Sequence, residues 1–537
     1  MEKPSSSSSS SVKSITKVKT SSDVNTSLSV LNEDLLQNIL ARLPALPFAS
    51  AACVSKSWNS LCNRILSRPK LSSALSLNPS LHDAVNEVIH KVLSEPIRPC
   101  FAIATIGSGF DSFNTMQRIR QSLGPNIPII VTVSNGIMGR DAITDEFKEV
   151  KWGALFSGFG AEAYARHINE GIVLTVGYLP GLNVEAIPLR RMRKTSQAPC
   201  VDDFVKDIKE YSASVSSCSF PVGIILFGEA SSDMKLVLEK LDYAMPMDTV
   251  IVGDERSSFV YLSRNNSRII CGRAGLVEAV ALVFAQDRDR SSGNIRFHVA
   301  LSNGVTAVGA KYKTASVRTN CNEGSTWLTA RREGQQELLD GQTILHEINN
   351  LIENHIESPD LYIGVIKQRK FSIGAEKPFP RTCIAYHGIV GGDEEYLYVE
   401  GIGIRTGDFF QFYYADPDNA LASLTEVHSA LKNIEPEKNS ESFKGNGDNA
   451  NNVFGGLIFA CYGRGESFFG RHNVDSSPFL ENFPGVPLAG MFCCGELVRP
   501  CTPLIGQCQG ASRPSCCLHV YSSVYLAMSY TPPSVEY

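Results

Sequence analysis

Two glycine turns in this chain place charged side chains at the ends of apolar runs. "GGLIFACYGRGESFFG", from Gly455 to Gly470, carries Arg464 and Glu466, and "FPGVPLAGMFCCGEL", from Phe483 to Leu497, carries Cys493, Cys494 and Glu496. An arginine offers a fork of donors suited to a carboxylate, and a glutamate offers acceptors suited to an amine. Open α/β sheets bind their ligands beyond the ends of such strands. Arg464, Glu466 and Glu496 are therefore expected to line one pocket or groove, with Cys493 and Cys494 in its wall. Such a site would hold a small zwitterion or a charged segment of a protein substrate. The alternative is that Arg464 and Glu466 face water or pair with one another.

Other chemistries lack their residues. Gly463 and Gly465 fit the first two places of a dinucleotide-binding G-x-G-x-x-G turn, but Phe468 stands at the third. "GSGFDS" at Gly107 fails in the same way, with Ser112 at the third place, and there is no phosphate-binding G-x-x-x-x-G-K-[ST]. No G-x-S-x-G occurs, and "HEINN" at His346 breaks H-E-x-x-H. Cys461, at a strand end beside Gly463, reads as a buried structural thiol. The run Cys493, Cys494, Cys501, Cys508, Cys516, Cys517 and His519 suggests zinc, yet no C-x-x-C pair exists anywhere. The 15 cysteines are expected to be reduced and unmetallated. No catalytic residue, metal or cofactor is expected.

These residues need elements to hold them. The chain has 537 residues, 43% of them apolar, and a formal charge of -5, which gives no electrostatic case for nucleic acid. The apolar run from Leu276 to Ala285 is too short to span a bilayer, so no membrane role is expected. After Pro99, strand-like and helical runs alternate, and one pattern recurs three times. "PCFAIATIGSGF", a helical stretch and "IPIIVTVSNG" form the first unit. "FPVGIILFGEA", a helical stretch and "DTVIVGDE" form the second, and the two glycine-turn segments form the third. Each reads as a β-α-β unit, and the continuous apolar runs predict strands covered on both faces. "RRMRK" (Arg190 to Lys194) reads as a solvated loop, with nuclear import as the alternative. Residues 435–452 read as a flexible loop and residues 1–28, rich in serine, as a disordered tail. "LSSALSLNPSL" at Leu71 loosely matches one leucine-rich repeat, too few for a solenoid.

Residues 29–71 form a helical module. Asn32 caps a first helix with Glu33 and Asp34 in its first turn, and Leu31, Leu35, Ile39 and Leu43 make a stripe at helical spacing. Pro44 ends that helix, and a second carries Ala51, Val54, Trp58, Leu61 and Ile65. Some 40 residues are too few to enclose a core unaided. "LNEDLLQNILARLP", "CVSKSWNSLC" and "RPKL" resemble an F-box, with Asn32 standing where many F-boxes have proline. The rest resembles the FIST family (F-box and intracellular signal transduction). The resemblance to the F-box only protein 22-like group implies an α+β to α/β fold: a helical F-box (29–71), a helical linker (72–98), a FIST N-terminal domain (99–325) and a FIST C-terminal domain (326–525), built of strand-helix-strand units. It implies a non-catalytic substrate receptor of an SCF (Skp-cullin-F-box) ubiquitin ligase, working in the cytoplasm or nucleus. Leu31, Leu35, Ile39, Leu43, Val54 and Trp58 would meet a Skp-type adaptor, and through it a cullin and a RING subunit. The FIST region would capture an unknown substrate protein for ubiquitination; the alternative is a small-ligand sensor.

Overall fold

The computed structural model describes residues 32–152, 169–191, 197–229, 234–264, 266–272, 277–288, 293–320, 324–352, 360–371, 379–434, 453–499 and 517–533. The tail, most of "RRMRK", the loop 435–452 and Cys501, Cys508 and Cys516 lie outside them. No described helix is long and apolar enough to cross a membrane.

Three short helices come first: α1 (Glu33–Leu40), α2 (Ala45–Ala52) and α3 (Lys56–Ile65). The Asn32 side chain caps α1 by accepting from the Asp34 N–H. The single helix expected over Ala51 to Ile65 is broken instead. The Ser55 hydroxyl accepts the Trp58 N–H at 3.1 Å and starts a new helix there. Leu36, Leu40, Phe48, Leu61 and Cys62 form a small core.

The chain then runs through Pro69 into β1 (Lys70–Ser76), followed by α4 (Leu81–Val92), β2 (Phe101–Ile106), α5 (Ser112–Leu123), β3 (Ile129–Val133), β4 (Gly136–Arg140), β5 (Phe147–Lys151), β6 (Ile172–Tyr178) and β7 (Leu182–Arg190). Next come α6 (Gln197–Val215), β8 (Gly223–Glu229), α7 (Met234–Ala244), β9 (Val250–Ser263), β10 (Asn266–Cys271), β11 (Val277–Gln286) and β12 (Asn294–Ser302). β13 (Val305–Asn320), β14 (Ser325–Arg332), α8 (Gly341–Ile352), β15 (Leu361–Phe371), β16 (Phe379–Gly392), β17 (Leu397–Glu400) and β18 (Phe409–Ala415) follow. The last elements are α9 (Pro417–Lys432), β19 (Val453–Cys461), α10 (Glu466–Phe469), α11 (Ser477–Asn482), β20 (Leu488–Cys493), β21 (Glu496–Arg499), β22 (Cys517–His519) and β23 (Ser523–Thr531).

The fold is α+β, with two mixed sheets and a closed barrel. The larger sheet runs β1-β6-β2-β3-β9-β8-β11-β7, with β10 and β21 also on β9 and β22 on β21. The smaller runs β12-β23-β19-β20-β4-β5. Their inner faces pack together through Phe101, Phe227, Phe284, Phe459, Met491 and Leu526. Helices cover the outer faces: α4 and α5 beside α6 and α7 on the larger sheet, α9 and α11 on the smaller. Burial on both sides explains why β2 shows no polar alternation. All three repeated units contain parallel pairs, β2 with β3, β8 with β9 and β19 with β20. The barrel, β13-β14-β17-β16-β15-β18, is inserted between β12 and α9 and packs around Tyr312, Phe410 and Phe412.

Two expected boundaries differ. Residues 72–98, expected as a helical linker, hold most of β1, an edge strand antiparallel to β6, and α4, which packs on that sheet. The stretch resembling a leucine-rich repeat is this strand and its turn. The regions 99–325 and 326–525 are also not separate bodies. After β3 the chain kinks at Ser134 and Asn135 and crosses to the smaller sheet, where β4 pairs with β20. After β20 it kinks at Cys494 and Gly495 and crosses the other way, where β21 pairs with β9. Arg499 fastens that crossing by donating to the carbonyls of Asp242, Met245 and Pro246 at the end of α7 (2.7, 2.9 and 2.8 Å).

Candidate functional sites

The first site lies where the two crossings meet. The Asn135 amide contacts Cys494 Sγ at 2.9 Å, and the Glu255 N–H donates to the Gly495 carbonyl at 2.8 Å. At the same level β9 shifts register between Asp254 and Ser257, a kink in the strand, and Asp254 is the register partner of Glu496. Gly253 makes this kink feasible: its φ is +155°, and a Cβ there would lie 1.8 Å from the Leu226 carbonyl oxygen. Asp254 is 1% exposed and accepts backbone N–H groups of Arg256 and Cys494.

A cavity of about 610 Å³ opens beside this junction, at the C-terminal ends of β2, β3 and β8. Ser134, Asn135, Glu229, Asp254 and Cys494 line one part of it and Phe110, Phe259 and Phe492 another. The turn Ser108 to Ser112, leading into α5, closes a side. That turn is the rejected "GSGFDS". Its glycines serve close packing, since a Cβ on Gly107 would lie 2.1 Å from the Asn169 carbonyl oxygen.

Burial sets the electrostatics here. It pushes the Asp254 carboxyl up to about 7 and the Cys494 thiol up to about 12. Glu496 is fully buried and accepts the Ser522 hydroxyl at 2.8 Å, and burial, with a smaller contribution from Asp254, raises it to about 8. The folded state therefore holds protons on these carboxyls that the unfolded chain releases near 4. Stability is fullest below the unfolded values, falls as pH rises, and levels off above about 7 for Asp254 and about 8 for Glu496. The urea midpoint should drop between pH 5.5 and pH 8.5, and Glu496→Gln should flatten that slope. An equal slope in the variant would show that Glu496 does not carry it.

The five residues expected to share one pocket are distributed differently. Only Cys494 lines the cavity. Glu466 is exposed and lies 3.0 Å from His472 Nε2. Cys493 is buried between the sheets, opposite Cys461 in the parallel register. Arg464 is 0% exposed and pairs with neither water nor Glu466. The positive φ of Gly465 reverses the chain there, and the Arg464 side chain lies in the interior. Its Nε and Nη2 bind Asp475 Oδ1 at 2.9 and 2.8 Å, Nη1 donates to the Tyr521 carbonyl at 3.0 Å, and Nη2 donates to Ser302 Oγ at 3.0 Å. Arg464 and Glu496 do approach one another, on successive residues of the bend Tyr521–Ser522, but as clamps on that backbone. Asn135, Asp254 and Glu229 escaped the sequence reading. "SNG" and "GDE" hold the same place in their units as "CCGE", and that equivalence was the available signal.

The second site is the helical module. Leu35, Ile39, Leu46 and Val54 are 55%, 49%, 68% and 64% exposed, apolar side chains left uncovered by the described residues. Leu43 and Trp58 are half-buried against the small core, and Leu31 lies outside the described residues. The expected stripe thus divides by depth, with its tips outward and Leu36 and Leu40 beneath it.

Among the described residues no group of His, Cys, Asp and Glu is placed to hold a metal, and Cys461, Cys493 and Cys494 are free thiols. The F-box domain model matches residues 28–70 and the FIST C domain model residues 380–499. The chain is 44% identical over 511 residues to "F-box/LRR-repeat protein At5g63520" of Arabidopsis thaliana, covering 94% of each. It is 26% identical over 167 residues to the uncharacterized protein Rv0628c of Mycobacterium tuberculosis, covering 30% of this chain and 38% of that one. With an F-box ahead of a FIST body and a relative matched across nearly its whole length, the chain belongs to the F-box protein family, as a plant-type F-box/FIST member.

Proposed function

We propose that this chain is the substrate-recognition subunit of an SCF-type ubiquitin ligase. The observation that carries the reading is the exposed apolar surface of Leu35, Ile39, Leu46 and Val54 on a module too small to cover it. A Skp-type adaptor covers that surface and brings the cullin and the RING subunit. The FIST sheets and barrel capture a protein, which the ligase marks for degradation in the cytoplasm or nucleus. The chain acts as a non-catalytic subunit, and the Cys494 thiol, raised by burial, is a poor nucleophile at neutral pH. The test is reconstitution with adaptor, cullin and RING subunit. Proteins co-purifying with the full chain should be ubiquitinated, and those co-purifying with a chain lacking residues 29–66 should not. Equal ubiquitination by both would refute the reading.

The cavity at the strand crossing favours a second role beside the first, that of a small-ligand site controlling substrate capture. Its size falls in the range of small-molecule sites. Ser258→Phe, which fills it from β9, should change which proteins are captured without changing adaptor binding. Unchanged capture would remove this reading.

A further inference from the structure

Among the described residues the cavity wall is rich in acceptors and poor in cations: Asp111, Glu229 and Asp254 line it, against Arg256. Arg256 is solvent-exposed and leans on Glu255 at 3.4 Å. Asp254, by contrast, is buried and forms no ion pair among the described residues. Beside it Asn135 is 4% exposed, with its Nδ2 on Cys494 Sγ and its Oδ1 unpartnered. A buried amide oxygen without a partner costs about 1–3 kcal/mol unless something fills its place. A buried carboxylate without a counter-cation costs more. Both groups flank Cys494, Asn135 through the sulfur and Asp254 through the backbone N–H. Phe110, Phe259 and Phe492 form the apolar part of the same wall.

We propose that the cavity takes an organic ammonium ligand, its charged nitrogen seated between Asp254 and Asn135 Oδ1 and its apolar body against Phe110, Phe259 and Phe492. The proposal rests on the small-ligand reading above and adds the chemistry of the ligand. An ammonium carries three donors and no acceptor, so it satisfies both groups at once. A carboxylate in the same place would face Asp254, Glu229 and Asp111. The ionisable groups around Asp254 among the described residues are Glu255 and Arg256 on its own strand, Glu229 on β8, Cys493 at the end of β20, Cys494 after it and Glu496 on β21. Seating an ammonium requires Asp254 ionised, so binding weakens as pH falls below about 7.

The test titrates the full chain with 2-phenylethylamine, its N-acetyl derivative and 3-phenylpropionate. The amine should bind about tenfold or more tightly than either analogue, a difference of about 1.4 kcal/mol. Asp254→Asn and Asn135→Ala should each weaken the amine by about tenfold while the chain stays folded. The wild-type affinity should also fall from pH 7.5 to pH 6. Amine binding no tighter than that of the amide or the acid, or untouched by both substitutions, overturns the ammonium assignment. If an analogue then binds and Ser258→Phe abolishes it, the cavity remains a ligand site of different chemistry. If none of the three binds, the assignment falls, and unchanged capture by Ser258→Phe would remove the ligand reading with it.

Discussion

Arg464→Ala should destabilise the two-sheet body by about 3–5 kcal/mol, the usual cost of removing one partner from a buried ion pair. It strands Asp475, which is fully buried, accepts the Ser523 hydroxyl on Oδ1 at 2.8 Å and has an Oδ2 with no hydrogen-bond partner. It also frees the Tyr521 carbonyl and Ser302 Oγ. Domains are stable by about 5–15 kcal/mol, so a large fraction of that margin goes. The expected readout is a large drop in urea midpoint and in soluble yield. Asp475→Ala should do the same. Arg464→Met combined with Asp475→Leu should cost less than the two single losses added, because neither charge is left alone. An Arg464→Ala protein with the wild-type midpoint would show that the pair bears no load. The substitution is therefore unsuited to testing ligand capture.

Leu35→Ala with Ile39→Ala should act on binding and not on folding. Both side chains are about half exposed in this chain, so truncation should change its stability by less than about 0.5 kcal/mol. Interface anchors commonly cost over 1 kcal/mol each on truncation. Together the two should cost about 2–4 kcal/mol, roughly 30- to 900-fold in adaptor affinity. Leu40→Ala, one residue from Ile39, should behave in the opposite way. Leu40 is 1% exposed, and its truncation should cost about 2–5 kcal/mol of the module's own stability. Adaptor pull-down, paired with thermal unfolding of each variant, separates the two effects. A double mutant retaining wild-type adaptor affinity would end the assignment of this surface.

The same helix shows what the sequence could and could not tell. Two apolar rows lie side by side on α1, one through Leu35 and Ile39 and one through Leu36 and Leu40. Spacing alone identifies a helix without saying which row meets this chain's core and which a partner's. The three β-α-β units were legible because apolar runs of 6 to 9 residues between glycine turns leave few other structures open. The crossings were not. "SNGIMG" and "CCGELV" read as turns at strand ends, whereas the backbone kinks and carries on into the opposite sheet. Asp475, the partner of Arg464, sits in the polar stretch "GRHNVDSSPF", where nothing in its neighbours marks it as buried. Asp254 was hidden for a related reason: charged residues in a glycine turn look solvated until a second strand closes over them.

The crossings also set a timetable for the newly made chain. β4 needs β20, which emerges from the ribosome roughly 350 residues later. At about 5–20 residues per second that is a wait of roughly 20–70 s. Through that interval the β4–β5 hairpin has a bare edge, and the inner face of the larger sheet, with Phe101, Phe227 and Phe284, has nothing to lie against. β9 in turn waits for β21. A nascent chain in this condition is a client for chaperones and a hazard for aggregation. Expression of residues 380–499 alone, the span of the FIST C match, would provide β19 and β20 without β4, β12 or β23, and should yield insoluble material.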